Sequence, residues 1–204
     1  MSARGKFVTV EGVDGAGKST HLQFIADSLA ADGRHVVVTR EPGGTDLAEQ
    51  LRKIILQERL DATVGTLLIF AGRGDHVARV IEPALAAGSA VVCDRFTDAT
   101  IAYQGAGEGV ARELIEHLTK DACRGLAPDR TLIFDVSYEV ASGRLAASGK
   151  KLDRFERQER AFFERVRNAY LAIARAEPKR VRVIDASDDP AAIRKSIARE
   201  LSGL

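Results

Sequence analysis

An α/β fold, with five parallel strands in one sheet and helices on both of its faces, is what this sequence predicts. Three observations lead there. The apolar runs are short and rich in Val and Ile, as in strands buried on both faces. Amphipathic helical stretches alternate with those runs, which implies right-handed crossovers. The composition is ordinary for a globular chain: 45% hydrophobic and 29% charged residues among 204. That length suits one domain spanning 1–204. A chain of this size can bury about 70% of its unfolded surface, so it needs no disulfide or structural metal.

The first strand is Phe7 to Val10 (FVTV). Glycines follow, then a helix with Leu22, Ile25 and Leu29 on one face that stops at Gly33. Val36 to Val38 form the second strand, and Leu47, Leu51, Ile54 and Ile55 mark the next helix. Ala90 to Cys93 is the third strand, Thr131 to Phe134 the fourth and Val181 to Ile184 the fifth. Helical patterns occupy roughly 64–87, 110–124, 138–147, 155–176 and 190–202.

Charge and composition exclude several classes. Thirty basic residues stand against 29 acidic ones, so bulk binding to nucleic acid is not expected. No apolar stretch approaches the roughly 18 residues of a membrane span. The N-terminal segment before Gly12 lacks the long apolar core of a signal peptide, and a cytoplasmic location is expected. Cys93 and Cys123 lie far apart with no metal-ligand spacing, and read as buried, reduced thiols.

Gly12-Val13-Asp14-Gly15-Ala16-Gly17-Lys18-Ser19 fits G-x-x-x-x-G-K-[ST] and has the required context, a strand before it and a helix after it. The three glycines let successive N–H groups turn inward. The helix that opens near Lys18 adds its positive end to that nest. Lys18 supplies a cation for the outer phosphates of a nucleoside triphosphate, and the hydroxyl of Ser19 is placed to ligate Mg²⁺. No N-K-x-D is present to read guanine; Thr119-Lys120-Asp121 lies in a helical pattern. A GTPase is therefore not expected, and the chain is too short for a motor or a helicase.

In open α/β sheets the carboxyl ends of the strands build the site. The second strand exits into Thr39-Arg40-Glu41-Pro42-Gly43-Gly44-Thr45, the third into Asp94-Arg95-Phe96. Each exit sets an Arg, whose planar fork matches phosphate oxygens, beside a carboxylate. One such pair could simply tie down a loop; two beside a phosphate loop point to a second anionic substrate. Asp94 could hold Mg²⁺ through water or orient Arg95. Phe70, Arg73, Thr100, Tyr103 and Gln104 add rings and hydrogen-bonding groups of the kind that hold a base.

Residues 143–160 break the alternation, with Ser148-Gly149-Lys150-Lys151 followed by many charges. A solvated connection is the plainer reading of that composition; a basic lid over an anionic ligand is the sharper one.

These motifs taken together resemble bacterial thymidylate kinases over essentially the whole chain. The carriers are EGVDGAGKST (11–20), TREPGGT (39–45), FAGRGDHVARVIEPAL (70–85), DRF with AYQG (94–105), PDRTLIFD (128–135) and LDRFE (152–156). TREPGGT together with DRF and AYQG is far more specific than the phosphate loop. The resemblance implies a P-loop nucleotide kinase fold with a lid at 144–160, a cytoplasmic homodimer, and transfer of the ATP γ-phosphoryl group to dTMP with Mg²⁺. It assigns ATP and its metal to Gly12, Val13, Asp14, Gly15, Ala16, Gly17, Lys18, Ser19, Thr20 and Arg144. It places Asp14, Arg40, Glu41, Pro42 and Arg95 around the dTMP phosphate and sugar. It also implies Phe70 stacked on thymine, Arg73 on its O4, Thr100 and Gln104 at the base edge, and Tyr103 against C2′ of the deoxyribose.

Some members carry an Arg in the phosphate loop where this chain has Gly15. Others bring the cation from the lid, and Lys150, Lys151 and Arg154 suggest that type here, with Arg154 neutralising the transferring group. Two departures stand out: Ala99 where many members have Ser, and Ile69 four residues before Arg73, where the common pattern has Phe. The competing readings are another nucleoside or nucleotide kinase on this fold, or an ATP-dependent switch that ignores dTMP.

Overall fold

The computed structural model describes residues 4–31, 33–149, 155 and 159–204. Five strands form one fully parallel sheet: β1 (Phe7–Gly12), β2 (Val36–Arg40), β3 (Ala90–Asp94), β4 (Arg130–Asp135) and β5 (Val181–Asp185). Their spatial order is β2-β3-β1-β4-β5, so β1 is central. The register aligns Val10 with Asp94, Arg40 with Asp94, and Gly12 with Phe134. All the carboxyl ends therefore open on one edge, and the phosphate loop leaves from the middle of it.

Each strand shows alternate residues to opposite faces. On one face Phe7, Val91 and Cys93 pack with Val77, Ile81, Leu85 and Phe96. On the other, Val8, Val10, Val92 and Leu132 pack with Ile25, Val166, Tyr170, Ile193 and Ile197. Val/Ile runs suit strands covered on both sides.

Helix α1 (Lys18–Ala30) opens at Gly17 (φ 84°), whose lack of a side chain leaves the first-turn N–H groups uncovered. Helix α2 (Asp46–Gln57) is capped by Thr45, which accepts from the Ala48 N–H, and α3 (Ala62–His76) by Asp61. A π-helical stretch, Val77–Ile81, carries α3 into the short α4 (Glu82–Ala86). The remaining helices are α5 (Thr97–Thr100), α6 (Arg112–Cys123), α7 (Tyr138–Ala147), α8 (Arg160–Ala176) and α9 (Pro190–Leu201), with Ser137 and Asp189 capping α7 and α9.

The five predicted strands lie within a residue or two of those observed. Two segments differ. Residues 97–107 are helical, α5 running into a π-helical stretch at Ile101–Gly107, where the sequence suggested only a strand exit. The glycines at 105 and 107 mask the periodicity, and tertiary packing forms the helix against propensity. The helix expected over 155–176 begins at Arg160. Of the proposed lid, Arg144 to Gly149, Phe155, Glu159 and Arg160 are described, while Lys150, Lys151 and Arg154 lie outside the described residues.

Candidate active site

The phosphate loop joins β1 to α1, and the cavity over it is lined by Asp14 through His21, with Arg40, Glu41, Asp94, Arg95 and Arg144 among its other walls. Gly12, Gly15 and Gly17 all take positive φ. At Gly15 (φ 79°) a Cβ would stand 2.5 Å from the Ala141 carbonyl oxygen on α7. A larger residue at that position, such as the loop arginine of other kinases, has neither the backbone nor the room here. Val13 and Ala16 are buried beneath the loop, and Ser19 and Thr20 are exposed at its helix end.

Lys18 is buried, and its Nζ donates to the Gly12 and Val13 carbonyls, each at 3.0 Å. Burial, and then Arg95, pull its pKa below the ordinary lysine value. Arg144 donates from Nη2 to the Ala186 carbonyl (2.9 Å) and from Nη1 to the Ala16 carbonyl (3.4 Å). It thus bridges the loop and the segment after β5, on the wall completed by Asp188, Pro190 and Ile193.

Asp94 ends β3, and its Oδ1 is buried without a protein partner. Asp94 lines the same cavity as the phosphate loop and Ser19, so its carboxylate is a fitting place for Mg²⁺ or one of its waters. Among the described residues no cluster of three acidic, His or Cys side chains could hold a metal alone. A metal here would need phosphate oxygens among its ligands.

Arg95 is the hub. Its Nη2 donates to Asp14 Oδ1 (2.5 Å) and to the Tyr103 hydroxyl (3.1 Å); its Nη1 donates to the Gly12 carbonyl (3.1 Å) and the Tyr170 hydroxyl (3.3 Å). Tyr103 donates in turn to Asp14 Oδ2 (2.8 Å). The Arg95 backbone takes φ 71°, a conformation that costs an L residue about 1–3 kcal/mol and persists only where surroundings enforce it. Burial alone would raise the Asp14 pKa, but Arg95 and Lys18 outweigh it and hold the carboxyl below its ordinary value.

A second cavity adjoins the first. Its walls include Asp14, Glu41, Pro42, Arg52, Ile69, Arg73, Arg95, Ala99, Thr100, Tyr103, Gln104 and Phe155. Arg73 is buried between the rings of Phe70 and Phe96, its guanidinium carbon 4.7 and 5.3 Å from their centres. Its Nε donates to Glu41 Oε2 (2.6 Å) and its Nη2 to the Phe96 carbonyl and the Thr100 hydroxyl. Its Nη1 is buried and has no partner. Gln104 donates to Glu108 Oε2 at 3.3 Å.

Three of the expected site residues have protein partners that the sequence did not show. Phe70 does not stand in the cavity wall: it packs with Val110 and Ile115, and the wall residue is Ile69. The one-residue shift against the family pattern turns the ring about 100° around α3, placing it under Arg73 instead. Glu41 turns both carboxylate oxygens to the protein, one to Arg73 and one to His76 Nδ1 (2.9 Å), so it orients Arg73. Arg40 is paired with Glu49 (2.9 and 3.0 Å) at the rim. The Glu41–Pro42 peptide bond is cis.

Four residues of this region went unread in the sequence. Arg52, whose Nη1 donates to the Pro42 carbonyl (2.7 Å), lines both cavities, yet resembles any exposed helix cation in sequence. Phe155 meets the Tyr103 ring edge-on at 5.8 Å, inside a segment legible only as polar. Glu11 and Tyr170 sit behind Arg95; Glu11 is fully buried, and burial, then Asp98, push its pKa up to about 7. A Glu in an apolar strand was the available signal.

Comparison with known proteins agrees with this geometry. The family model described as Thymidylate kinase matches residues 10–197. The chain is 53% identical to the thymidylate kinase of Bordetella petrii, over 100% of this chain and 98% of that one. It is 52% identical to that of Thiobacillus denitrificans, over the whole of both. The crystal structure of thymidylate kinase from Ehrlichia chaffeensis superposes with a TM-score of 0.76 at 34% identity, covering 95% of this chain and 97% of that one. With its phosphate loop, arginine hub and adjoining cavity on one sheet edge, the chain belongs to the thymidylate kinase family.

Proposed function

We propose that this protein, a kinase of the thymidylate kinase family, transfers the γ-phosphoryl group of ATP to dTMP and releases ADP and dTDP. The observation that carries the choice of acceptor is the buried, unpartnered Nη1 of Arg73, a residue that lines the same cavity as Arg95. A donor with no acceptor, held rigidly by Glu41, Thr100 and two rings, suits a base carbonyl such as thymine O4. Arg95, in the wall shared with the phosphate-loop cavity, suits the 5′-phosphate.

The loop amides and Lys18 take the ATP phosphates, Arg144 flanks the adenine side, and Ser19 and Asp94 hold Mg²⁺. When bound, Mg²⁺ offsets the negative charge of the phosphates. Arg95 orients an acceptor phosphate oxygen toward the γ-phosphorus; the new P–O bond forms as the bond to the ADP oxygen breaks. Lys18 stabilises the departing charge, and Arg154 from a lid at 144–160 joins it on closure, excluding water. Asp14 fixes Arg95 and the Tyr103 hydroxyl, Tyr103 lies against C2′ of the sugar, and Gln104 reaches the base edge.

The protein works as a homodimer. Leu47 and Ile54 on α2 and Val64 and Leu67 on α3, all exposed on two helices packed together, are the apolar surface that supports this. Its free, buried Cys93 and Cys123 suit a reducing cytoplasm, and among the described residues no helix is long and apolar enough to cross a membrane.

The deciding assay follows ADP release with Mg-ATP and each of dTMP, dUMP, dCMP, dGMP, UMP, thymidine and no acceptor. Turnover with dTMP far above the rest, matched by dTDP, is expected. Equal slow release in every tube would mean plain hydrolysis and would overturn the reading.

A further inference from the structure

Glu11 lies on β1 directly before the phosphate loop, yet it lines neither cavity and is fully buried. Both of its carboxylate oxygens are engaged. Oε1 accepts the Phe96 backbone N–H at 2.7 Å, and Oε2 accepts the Tyr170 hydroxyl at 2.8 Å. The Tyr170 hydroxyl in turn accepts from Arg95 Nη1. Glu11 therefore grips the Arg95 turn twice, through the backbone just after it and through the guanidinium by way of Tyr170. Tyr170 is fully buried on α8, the helix that follows the lid segment, and its ring meets Tyr103 edge-on at 6.4 Å.

A buried acid is a poor way to hold a core together, because an apolar pair of similar shape packs there without the desolvation cost. What Glu11 and Tyr170 accomplish that an apolar pair cannot is to fix two donors of one strained residue. We propose that Glu11 and Tyr170 are positioning residues for the acceptor arginine. They hold the left-handed turn at Arg95 and aim its guanidinium before any acceptor arrives, and Tyr170 makes that aim depend on the seating of α8. The proposal rests on Arg95 as the residue that receives the acceptor phosphate.

The test uses the full chain with Y170F, which keeps the ring and removes the hydroxyl. Loss of one hydrogen bond to a charged network should raise KM for dTMP about tenfold. KM for ATP should stay within about twofold, while the thermal midpoint falls because Glu11 Oε2 loses its partner. E11Q keeps an acceptor for the Phe96 N–H and should shift the same constant in the same direction; it carries the test if Y170F fails to fold. An unchanged KM for dTMP, or parallel rises in both KM values, would overturn the proposal, the second outcome marking an ordinary packing role. Hydrogen exchange at the Phe96 amide needs no substrate and should quicken in Y170F; unaltered protection there also counts against the latch. If the wild-type chain ignores dTMP but Phe96 exchange still quickens, the acceptor assignment has failed and the coupling to Tyr170 has not.

Discussion

Two strand exits carry the same signal in sequence, an arginine beside a carboxylate, and the structure treats them differently. At the β3 exit, Arg95 has a side chain only 16% exposed, with four hydrogen-bond acceptors and an enforced left-handed backbone. At the β2 exit, Arg40 is 54% exposed and paired with Glu49, itself 39% exposed. The adjacent carboxylates divide the opposite way: Glu41 is buried and holds Arg73 and His76, whereas Asp94 keeps an oxygen unpartnered. The two arginines are of one residue type and differ in rigidity and burial, which is what would let Arg95 bind an acceptor more strongly than Arg40. An exposed ion pair contributes at most about 1 kcal/mol, and a buried, multiply bonded guanidinium acts where the dielectric is low.

The sharpest test of that contrast is to truncate both arginines. Arg95→Ala should lower kcat/KM for dTMP by about a thousandfold, in the range found when a phosphoryl-transfer arginine is removed. Arg40→Ala should cost about tenfold or less, mostly in KM. Steady-state kinetics on the two variants settles it, and equal losses would break the comparison. Tyr103→Ala, which opens the wall beside the expected C2′ position, should lower activity with dTMP and improve the relative use of ribonucleotide acceptors by several-fold. An unchanged ratio in a competition assay would remove Tyr103 from sugar discrimination.

The smallest effect concerns pH. Burial raises the Glu11 pKa from 4.5 to about 7. The folded chain then holds that proton more tightly than the unfolded chain does. The stability tied to Glu11 is fully present below about pH 4.5 and is lost as pH rises through about 7. Glu11→Gln has no such proton, so urea unfolding at pH 5 and pH 8 should show the variant gaining on wild type as pH rises. Parallel pH dependences would mean that Glu11 titrates like an ordinary carboxyl.

The strands were legible because a buried parallel sheet demands continuous Val/Ile runs, and little else in this chain has them. The phosphate loop was legible because only glycine tolerates the φ values and the close approach of α7 at Gly15. The π-helical stretch that presents Tyr103 and Gln104 was not, since wide turns leave no fixed spacing of apolar residues. The seat of Phe70 was not legible because stacking on a base and stacking under an arginine ask for the same ring, and only its angle around α3 tells them apart. The partners of Arg95 come from β1 and α8, elements far apart in the chain, and no local pattern announces such a meeting.

The lone Nη1 of Arg73 has a consequence for inhibitors. The ligand-free fold already bears the cost of burying that charged donor without an acceptor, so a ligand that brings a carbonyl oxygen to it recovers that cost, and one that offers a methyl or a C–H there recovers nothing. Leaving a buried charged group unsatisfied costs upward of about 1–3 kcal/mol, which corresponds to a tenfold to hundredfold difference or more in affinity between the two. If Arg73 reads the base as proposed, the cavity separates close mimics by an interaction gained and not by fit alone. Any compound meant to occupy it should carry a carbonyl at that position before it is optimised anywhere else.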